Sequence, residues 1–416
     1  MYGNDLDVGT YSSAFPKPEE DFGRHPWNLN QLPRESGSLL RNMTFDVNGV
    51  SRPWLYVGMA FSSFCWHNED NYLYSINYMH AGNTKVWYGV PGISASQFEH
   101  VFAEKVPELF NSDRNLLYRL TTMINPSTFV AAGVRVTRAL HTPGTFIVTF
   151  PQAYHAGFSI GWNVAEAVNF ATIDWLKWGR QSELVYMSAR RQSVVSVDHL
   201  SMCAIAQLMV TGEAGELGEQ PGLKRDLSFM YSREAHLRQH VSSKGIKLSC
   251  DLLAKKITSK QFPAQSKTID EFAFRANSFH GNDHSLPMCC ICRQWMFTSF
   301  VMCSGSCGLQ KQLFYCPAHF DKACCSCVMD SRILVYRIPL SLLYSLNVIV
   351  AGERDARVLP TCGGDELFQR IKELPKGVSK FVKFAPDLSL KSSSGPNTPQ
   401  SARDEAGDDP GSRFEM

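Results

Sequence analysis

The sequence predicts a mainly β fold with added helices: an all-β barrel or sandwich, then a helical region, then a small metal-stapled module. Two observations carry this. Up to about residue 180, short aromatic and β-branched runs alternate with turn residues, the pattern of a barrel or sandwich. Nine of the 13 cysteines fall between Cys289 and Cys327. With no export signal, such clustering reads as zinc rather than as a disulfide framework.

In the first region, 1–190, the runs Trp54-Leu55-Tyr56-Val57-Gly58, Tyr74-Ser75-Ile76-Asn77-Tyr78, Lys85-Val86-Trp87-Tyr88-Gly89-Val90 and Phe146-Ile147-Val148-Thr149-Phe150 read as strands. Gly82-Asn83, Pro91-Gly92 and Pro143-Gly144 supply turns between them. One helix is expected from Ser94 to Phe110, where Phe98, Val101, Phe102 and Val106 recur near helical spacing. Residues 191–285 read as a helical linker, with helices around Leu200, Met202 and Leu208 and at Ile269-Asp270-Glu271-Phe272. Residues 286–330 hold the cysteine-rich module. Residues 331–390 form a mixed helical and strand extension that opens on Ile333-Leu334-Val335-Tyr336 and includes a helix from Asp365 to Leu374. The tail, 391–416, is Ser, Pro, Gly, Asp and Arg with few apolar residues and is expected to be disordered.

Composition narrows the function classes. A hydrophobic content of 44% and an aromatic content of 12% suit a core-forming chain. The net charge is +2 and no dense basic run occurs, so electrostatics do not support direct DNA binding. The start of the chain is polar and acidic, unlike a secretory signal. The longest apolar stretch, Ile338 to Ala351, is short and interrupted by Pro339, two serines and Asn347, so no membrane association is expected.

The chemistry begins at Trp66-His67-Asn68-Glu69-Asp70. Residues two apart on a strand share a face, so His67 and Glu69 point the same way. A second histidine, His155, follows the β-rich run that ends at Pro151. Two imidazoles and a carboxylate leave half of a metal's coordination open, as in non-haem iron(II) oxygenases. A buried histidine satisfied by hydrogen bonds would give the same local pattern. Glu69, Asn71, Ser75, Asn77 and Lys85 stand at even separations from His67. They would share a strand face if hairpins connect them. A lysine inside a barrel needs an anionic partner, such as one end of a dicarboxylic acid. A solvated hairpin lysine after Gly82-Asn83-Thr84 fits the periodicity equally well.

These stretches, with Phe150-Pro151-Gln152-Ala153-Tyr154-His155-Ala156-Gly157-Phe158 and Asn163-Val164-Ala165-Glu166-Ala167-Val168-Asn169-Phe170, resemble the jumonji C (JmjC) domain of histone lysine demethylases. Trp87-Tyr88-Gly89-Val90-Pro91, Pro107-Glu108-Leu109-Phe110 and Gly179-Arg180-Gln181 resemble the JARID-type group, the lysine-specific demethylase 5 class. The resemblance implies a double-stranded β-helix of the jelly-roll or cupin kind. It implies an iron(II)- and 2-oxoglutarate-dependent dioxygenase that uses O2 and releases formaldehyde, succinate and CO2. The implied substrate is a methylated histone tail, with di- or trimethylated lysine-4 of histone H3 as the leading candidate. The implied setting is the nucleus, among chromatin-associated complexes. By position, His67, Glu69 and His155 match the iron ligands. Lys85 and Tyr2 match the partners of the distal cosubstrate carboxylate, and Phe64, Ser75, Asn77 and Trp87 match the surrounding wall. Tyr56, Ala167 and Asn169 match residues around the methylated ammonium.

The module carries Cys289-x2-Cys292, Cys303-x3-Cys307, Cys316-x2-His319 and Cys324-Cys325-Ser326-Cys327. Taking Cys325 and Cys327 from the last group gives eight ligands, enough for two tetrahedral structural zinc ions. Cys290 competes with Cys289, and Cys324 with Cys325. The module resembles the five-cysteine, one-histidine, two-cysteine finger of the JARID-type group, although Cys303 to Cys307 is one residue longer than expected. Asn83-Thr84 and Asn68 also depart from the family pattern. Asn68 is expected to point away from the metal. An upstream JmjN segment, an ARID domain and PHD fingers are expected in that group, and none is visible in this sequence. The alternatives are a demethylase of another histone lysine, a protein hydroxylase, a zinc hydrolase with the same three ligands, or an inactive chromatin scaffold.

Overall fold

The computed structural model describes residues 2–347 except 44, 113–115, 119–121, 211–219, 251–285, 304–312, 323–328, 339, 341–342 and 345. The helices expected at Ile269–Phe272 and Asp365–Leu374 and the tail at 391–416 lie outside the described residues.

The first half holds β1 (Gly3–Asp7), β2 (Trp54–Gly58), β3 (Ser63–His67), β4 (Tyr74–Gly82), β5 (Lys85–Val90), β6 (Thr137–His141), β7 (Phe146–Thr149), β8 (Tyr154–Ser159) and β9 (Asn163–Phe170). They form a five-stranded sheet in the order β1-β2-β9-β4-β7 and a four-stranded sheet in the order β3-β8-β5-β6. All pairings are antiparallel. The mainly β architecture is therefore the one the strand and turn pattern predicts.

Period-two alternation sorts each strand between outer cover and inner face. On β4, Ile76 and Tyr78 pack with Leu29, Phe15 and Leu32 of the N-terminal segment, whereas Ser75 and Asn77 line the cavity between the sheets. On β8, Tyr154 and Ala156 join Phe98, Phe102 and Phe129 in an aromatic cluster outside the four-stranded sheet, and His155 lines the cavity.

The single helix expected from Ser94 to Phe110 is two, Ala95–Lys105 and Pro107–Ser112. Pro107 disfavours helical geometry in the residue before it, and Val106 accordingly leaves the helix at φ −133°, ψ 55°. Helices Leu176–Ala189, Val197–Val210 and Pro221–Ser243 surround a core that includes Trp175, Leu200, Leu227 and Met230. Phe297 of the cysteine-rich module joins that core.

Residues 247–250, read from sequence as part of a helical linker, are instead strand β10 (Lys247–Cys250). It runs parallel to β13 (Arg332–Tyr336) in a sheet ordered β10-β13-β11-β12, with β11 at Ser299–Cys303 and β12 at Phe314–Tyr315. Pairing with the β-branched run of β13 outweighs weak local preference. Among the described residues, no helix is long and apolar enough to cross a membrane.

Candidate active site and zinc centre

A cavity of about 400 Å³ lies between the two sheets. The four-stranded sheet contributes Phe64, Cys65 and His67 of β3, Lys85 and Trp87 of β5 and His155 of β8. The five-stranded sheet contributes Tyr56 of β2, Ser75 and Asn77 of β4 and Ala167 and Asn169 of β9. Tyr2 and Asn68 also line it. Every iron, cosubstrate and substrate-pocket position anticipated from sequence thus faces one cavity.

Even spacing along the chain does not by itself bring these groups together. Ser75 and Asn77 do not share a sheet face with His67, because β4 belongs to the opposite sheet, whereas Lys85 on β5 lies on the inner face of His67's own sheet. The groups meet because two inner faces oppose each other. Asn71, in the same even-spaced series, is not in the cavity but fully buried behind it. Alternation also fails inside β3, where the register shifts between Phe64 and His67. This irregularity lets Phe64 and His67 both line the cavity while Trp66 packs on Phe98 and Phe129.

His67 and His155 are directly opposite each other on β3 and β8, with ring centroids 4.2 Å apart. Glu69 lies just past β3, in extended backbone (φ −71°, ψ 152°), which keeps the two-residue relation to His67. Ligand atoms of all three lie within 4.8 Å of one another. His155 Nε2 is 3.3 Å from Glu69 Oε1, and Asn169 donates to Glu69 Oε2 at 2.9 Å.

Main-chain carbonyls set both tautomers. His67 Nδ1 lies 2.7 Å from the Cys65 carbonyl and His155 Nδ1 lies 3.1 Å from the Ala153 carbonyl. A carbonyl can only accept, so each Nδ1 carries a hydrogen, which leaves Nε2 as the atom of each ring that a metal would take. Burial, aided by His155, lowers the His67 pKa to about 4. Burial alone would raise Glu69, but the hydrogen bond and charge of His155, with His67 and Asn169, bring it down to about 2. At neutral pH the cluster holds a neutral His67 imidazole and a carboxylate, which suit a divalent metal.

Elsewhere, the cavity lining is built for an anion. Lys85 is 2% exposed. Its ammonium lies 5.6 Å from the Tyr56 ring centroid and 6.0 Å from that of Phe64. No ion pair to it occurs among the described residues, and burial lowers its pKa to about 8. Nearby, Asn77 Oδ1 and Trp87 Nε1 are buried and have no hydrogen-bond partner among the described residues. The Trp87 ring stacks on His155 at 5.7 Å and lies 4.6 Å from Phe64. Burial, with the charge of Asp5, pushes the Tyr2 hydroxyl up to about 12, so it stays a neutral donor. The donor set, the buried ammonium and the orphan polar atoms fit a metal with a dicarboxylate beside it.

Sequence reasoning missed Asp5, Asn48, Asp70, Arg191 and Val194, which also line the cavity. Asp5 hydrogen-bonds the Tyr56 hydroxyl, and Arg191 pairs with Asp70 at 2.5 Å. Asp5 sits mid-β1, where the register shifts between Gly3 and Leu6, and the others lie outside the strands, so none follows a strand periodicity. Only Asp5 had a signal, its closeness to Tyr2.

A second cluster joins Cys289, Cys292, Cys316 and His319, whose ligand atoms lie within 4.8 Å of one another. Cys292 Sγ is 3.8 Å from Cys316 Sγ, and His319 Nδ1 is 3.1 Å from Cys316 Sγ and 3.7 Å from Cys289 Sγ. Zinc–sulfur bonds of about 2.3 Å at tetrahedral angles separate sulfurs by about 3.8 Å, so the fit is close. Cys289 rather than Cys290 joins the cluster. Cys303 is buried on β11. Cys307, Cys325 and Cys327 lie outside the described residues.

Comparison with known proteins agrees with this arrangement. Residues 54–170 match the family described as "JmjC domain, hydroxylase", and residues 289–346 match the C5HC2 zinc finger. Lysine-specific demethylase JMJ17 of Arabidopsis thaliana is 38% identical over 355 residues, covering 82% of this chain and 27% of that protein. Lysine-specific demethylase JMJ703 of Oryza sativa subsp. japonica is 35% identical, covering 86% of this chain and 28% of its own length. Lysine-specific demethylase 5B of Gallus gallus is 36% identical, covering 83% and 21%. The chain thus spans roughly a quarter of the length of these relatives. Residues 54–170 belong to the JmjC domain family, and a C5HC2 zinc finger follows them in the same chain.

Proposed function

We propose that the chain is an iron(II)- and 2-oxoglutarate-dependent dioxygenase that removes methyl groups from histone lysine, with lysine-4 of histone H3 as the preferred target. One observation carries this reading. Lys85, buried and without an ion-pair partner among the described residues, shares its cavity with the two-histidine, one-carboxylate cluster. An uncompensated buried ammonium is costly, and a dicarboxylate with one end on the metal would compensate it. A hydrolase with the same triad leaves Lys85 and Asn77 without a task. The named demethylase relatives support the substrate class.

His67, Glu69 and His155 would hold iron(II). Lys85 and Tyr2 would take the distal carboxylate of 2-oxoglutarate. Trp87 and Asn77 have buried polar atoms that a polar ligand would satisfy, and Ser75 and Phe64 complete that wall. When bound with 2-oxoglutarate and O2, the metal supplies oxidation of an N-methyl C–H bond, with formaldehyde, succinate and CO2 as products. The protein's part is to orient the methyl group and exclude water. Tyr56, Ala167 and Asn169 would surround the methylated ammonium, Tyr56 through its π face. The Cys289, Cys292, Cys316 and His319 cluster would hold one structural zinc, and Cys303, Cys307, Cys325 and Cys327 a second. The partner would be a methylated H3 tail, in the nucleus and within chromatin-associated complexes.

The test is incubation with iron(II), ascorbate, 2-oxoglutarate and H3 peptides methylated at different lysines, followed by mass spectrometry. Loss of methyl mass from the lysine-4 peptide alone supports the proposal. Methyl loss from another peptide would redirect the specificity, and no succinate from metal-loaded protein would end the enzyme reading. His67→Ala should abolish turnover and leave zinc near two per chain.

A further inference from the structure

The zinc cluster and the metal-ligand loop are joined by an unbroken run of buried hydrogen bonds. Gln294 follows zinc-cluster residue Cys292 by two positions. Its amide nitrogen donates to the Cys292 carbonyl at 3.1 Å and to the Arg191 carbonyl at 2.7 Å. Its side-chain oxygen accepts from Ser193 Oγ. Ser193 Oγ in turn accepts from Asn71 Nδ2 at 3.2 Å. Next to it, Trp295 Nε1 donates to the Ser193 carbonyl at 2.6 Å. Asn71 is 0% exposed, Ser193 1% and Gln294 7%.

Asn71 stands two residues after Glu69 and is held from every side. Its backbone is left-handed (φ 49°, ψ 26°), a conformation that a buried non-glycine residue keeps only when its surroundings enforce it. Its N–H donates to Tyr186 Oη at 3.0 Å, and its carbonyl accepts from Trp175 Nε1 at 3.0 Å. Its side-chain oxygen accepts from the Val194 N–H at 2.8 Å. The turn that carries Glu69 is thus fastened to segment 191–194, and the zinc cluster's knuckle fastens that segment in turn. The same segment presents Arg191 and Val194 to the cavity.

We propose that Gln294 is a positioning residue that, through Ser193 and Asn71, couples the Cys289–Cys292–Cys316–His319 centre to the placement of Glu69. The inference rests on the reading of His67, Glu69 and His155 as a metal site. Gln294 touches no reacting group. Losing it leaves buried partners unpaired and frees the turn, so metal affinity at the triad falls while zinc stays bound.

The experiment titrates cobalt(II) into zinc-loaded full chain, following cobalt d–d absorption, and measures hydrogen exchange at residues 68–73. Gln294→Ala should weaken cobalt binding about 5- to 10-fold and speed exchange in that turn, with zinc content unchanged. Ser193→Ala should do the same, and the double variant should be little worse than either single one, as expected of one chain of contacts. Arg293→Ala, which removes only a long contact to exposed Gln192 (3.5 Å), should change neither readout. Unchanged cobalt affinity and exchange in a zinc-loaded Gln294→Ala would overturn the coupling. If Gln294→Ala loses zinc, Ser193→Ala alone decides by the same two readouts. Failure of the wild-type chain to bind cobalt, or binding that survives His67→Ala, would instead sink the metal-site reading.

Discussion

Lys85 is buried with no ion-pair partner among the described residues, so it holds its proton less tightly than an exposed lysine does. Burial holds its pKa at about 8 against an ordinary 10.5. A base with a depressed folded pKa weakens the fold while charged. That cost is in full force below about pH 8 and fades as pH rises from 8 toward 10.5, where the unfolded chain still binds the proton. The ligand-free chain should therefore gain this increment of stability between pH 8 and 10.5, checked by denaturant melts of wild type against Lys85→Met. Only the ammonium form attracts a carboxylate, so affinity for 2-oxoglutarate should fall above about pH 8. Calorimetry near pH 9 in buffers of different ionisation heat should detect proton uptake on binding. Lys85→Met should act in opposite directions on function and fold. It should raise KM for 2-oxoglutarate by about 100-fold, in keeping with about 2–5 kcal/mol for a truncated charge pair, yet raise the melting temperature of the ligand-free protein.

At the scale of elements, the tight seam between β3, β8 and β5 shapes the cavity wall. A Cβ added at Gly157 would lie 2.1 Å from the Val86 carbonyl and 2.6 Å from the Phe64 ring. Gly157→Ala should cost about 1–3 kcal/mol, the range for overpacking, and push Phe64 into the cavity. A melt combined with a KM measurement for 2-oxoglutarate checks both. The same seam shows what could be read from sequence. The strands around Tyr56, Ser75, Lys85 and His155 were legible because alternation and turn residues are local. The two-residue step from His67 to Glu69 survives even though β3 stops at His67. Which sheet each strand joins was not legible, since Asn77 and His67 meet through pairing set by distant chain. The irregularity after Phe64 and the left-handed turn at Asn71 were also invisible, because each is enforced by tertiary bonds. Asn71 shows it best: period two assigns it to the cavity, but its contacts with Tyr186, Ser182 and Val194 bury it behind.

At the scale of the molecule, buried charges tie the helices to the cysteine-rich module. Arg180 of helix Leu176–Ala189 pairs with Asp198 at 2.6 Å and Asp226 at 2.7 Å. Arg233 also reaches Asp198, at 2.6 Å. Glu234 pairs with Arg238 and accepts from Thr298 and Ser299 at the edge of β11. Burial alone would raise Asp198, but Arg233 and Arg180 outweigh it and hold its carboxyl well below the usual range. Asp198→Ala removes the carboxylate shared by Arg180 and Arg233, which keep Asp226 and Glu234 as partners, and should cost about 3 kcal/mol, the low end for breaking a buried pair, measured by denaturant melts. Limited proteolysis should then cut between helix Val197–Val210 and the module sooner than in wild type.

The carbonyls of Cys65 and Ala153 that fix the two imidazole tautomers have a wider consequence. The Nδ1 of each histidine is held by the main-chain carbonyl two residues before it rather than by another side chain. The protonation pattern of the centre is thus independent of which side chains occupy positions 65 and 153. Those positions can drift during evolution without altering which nitrogen faces the metal.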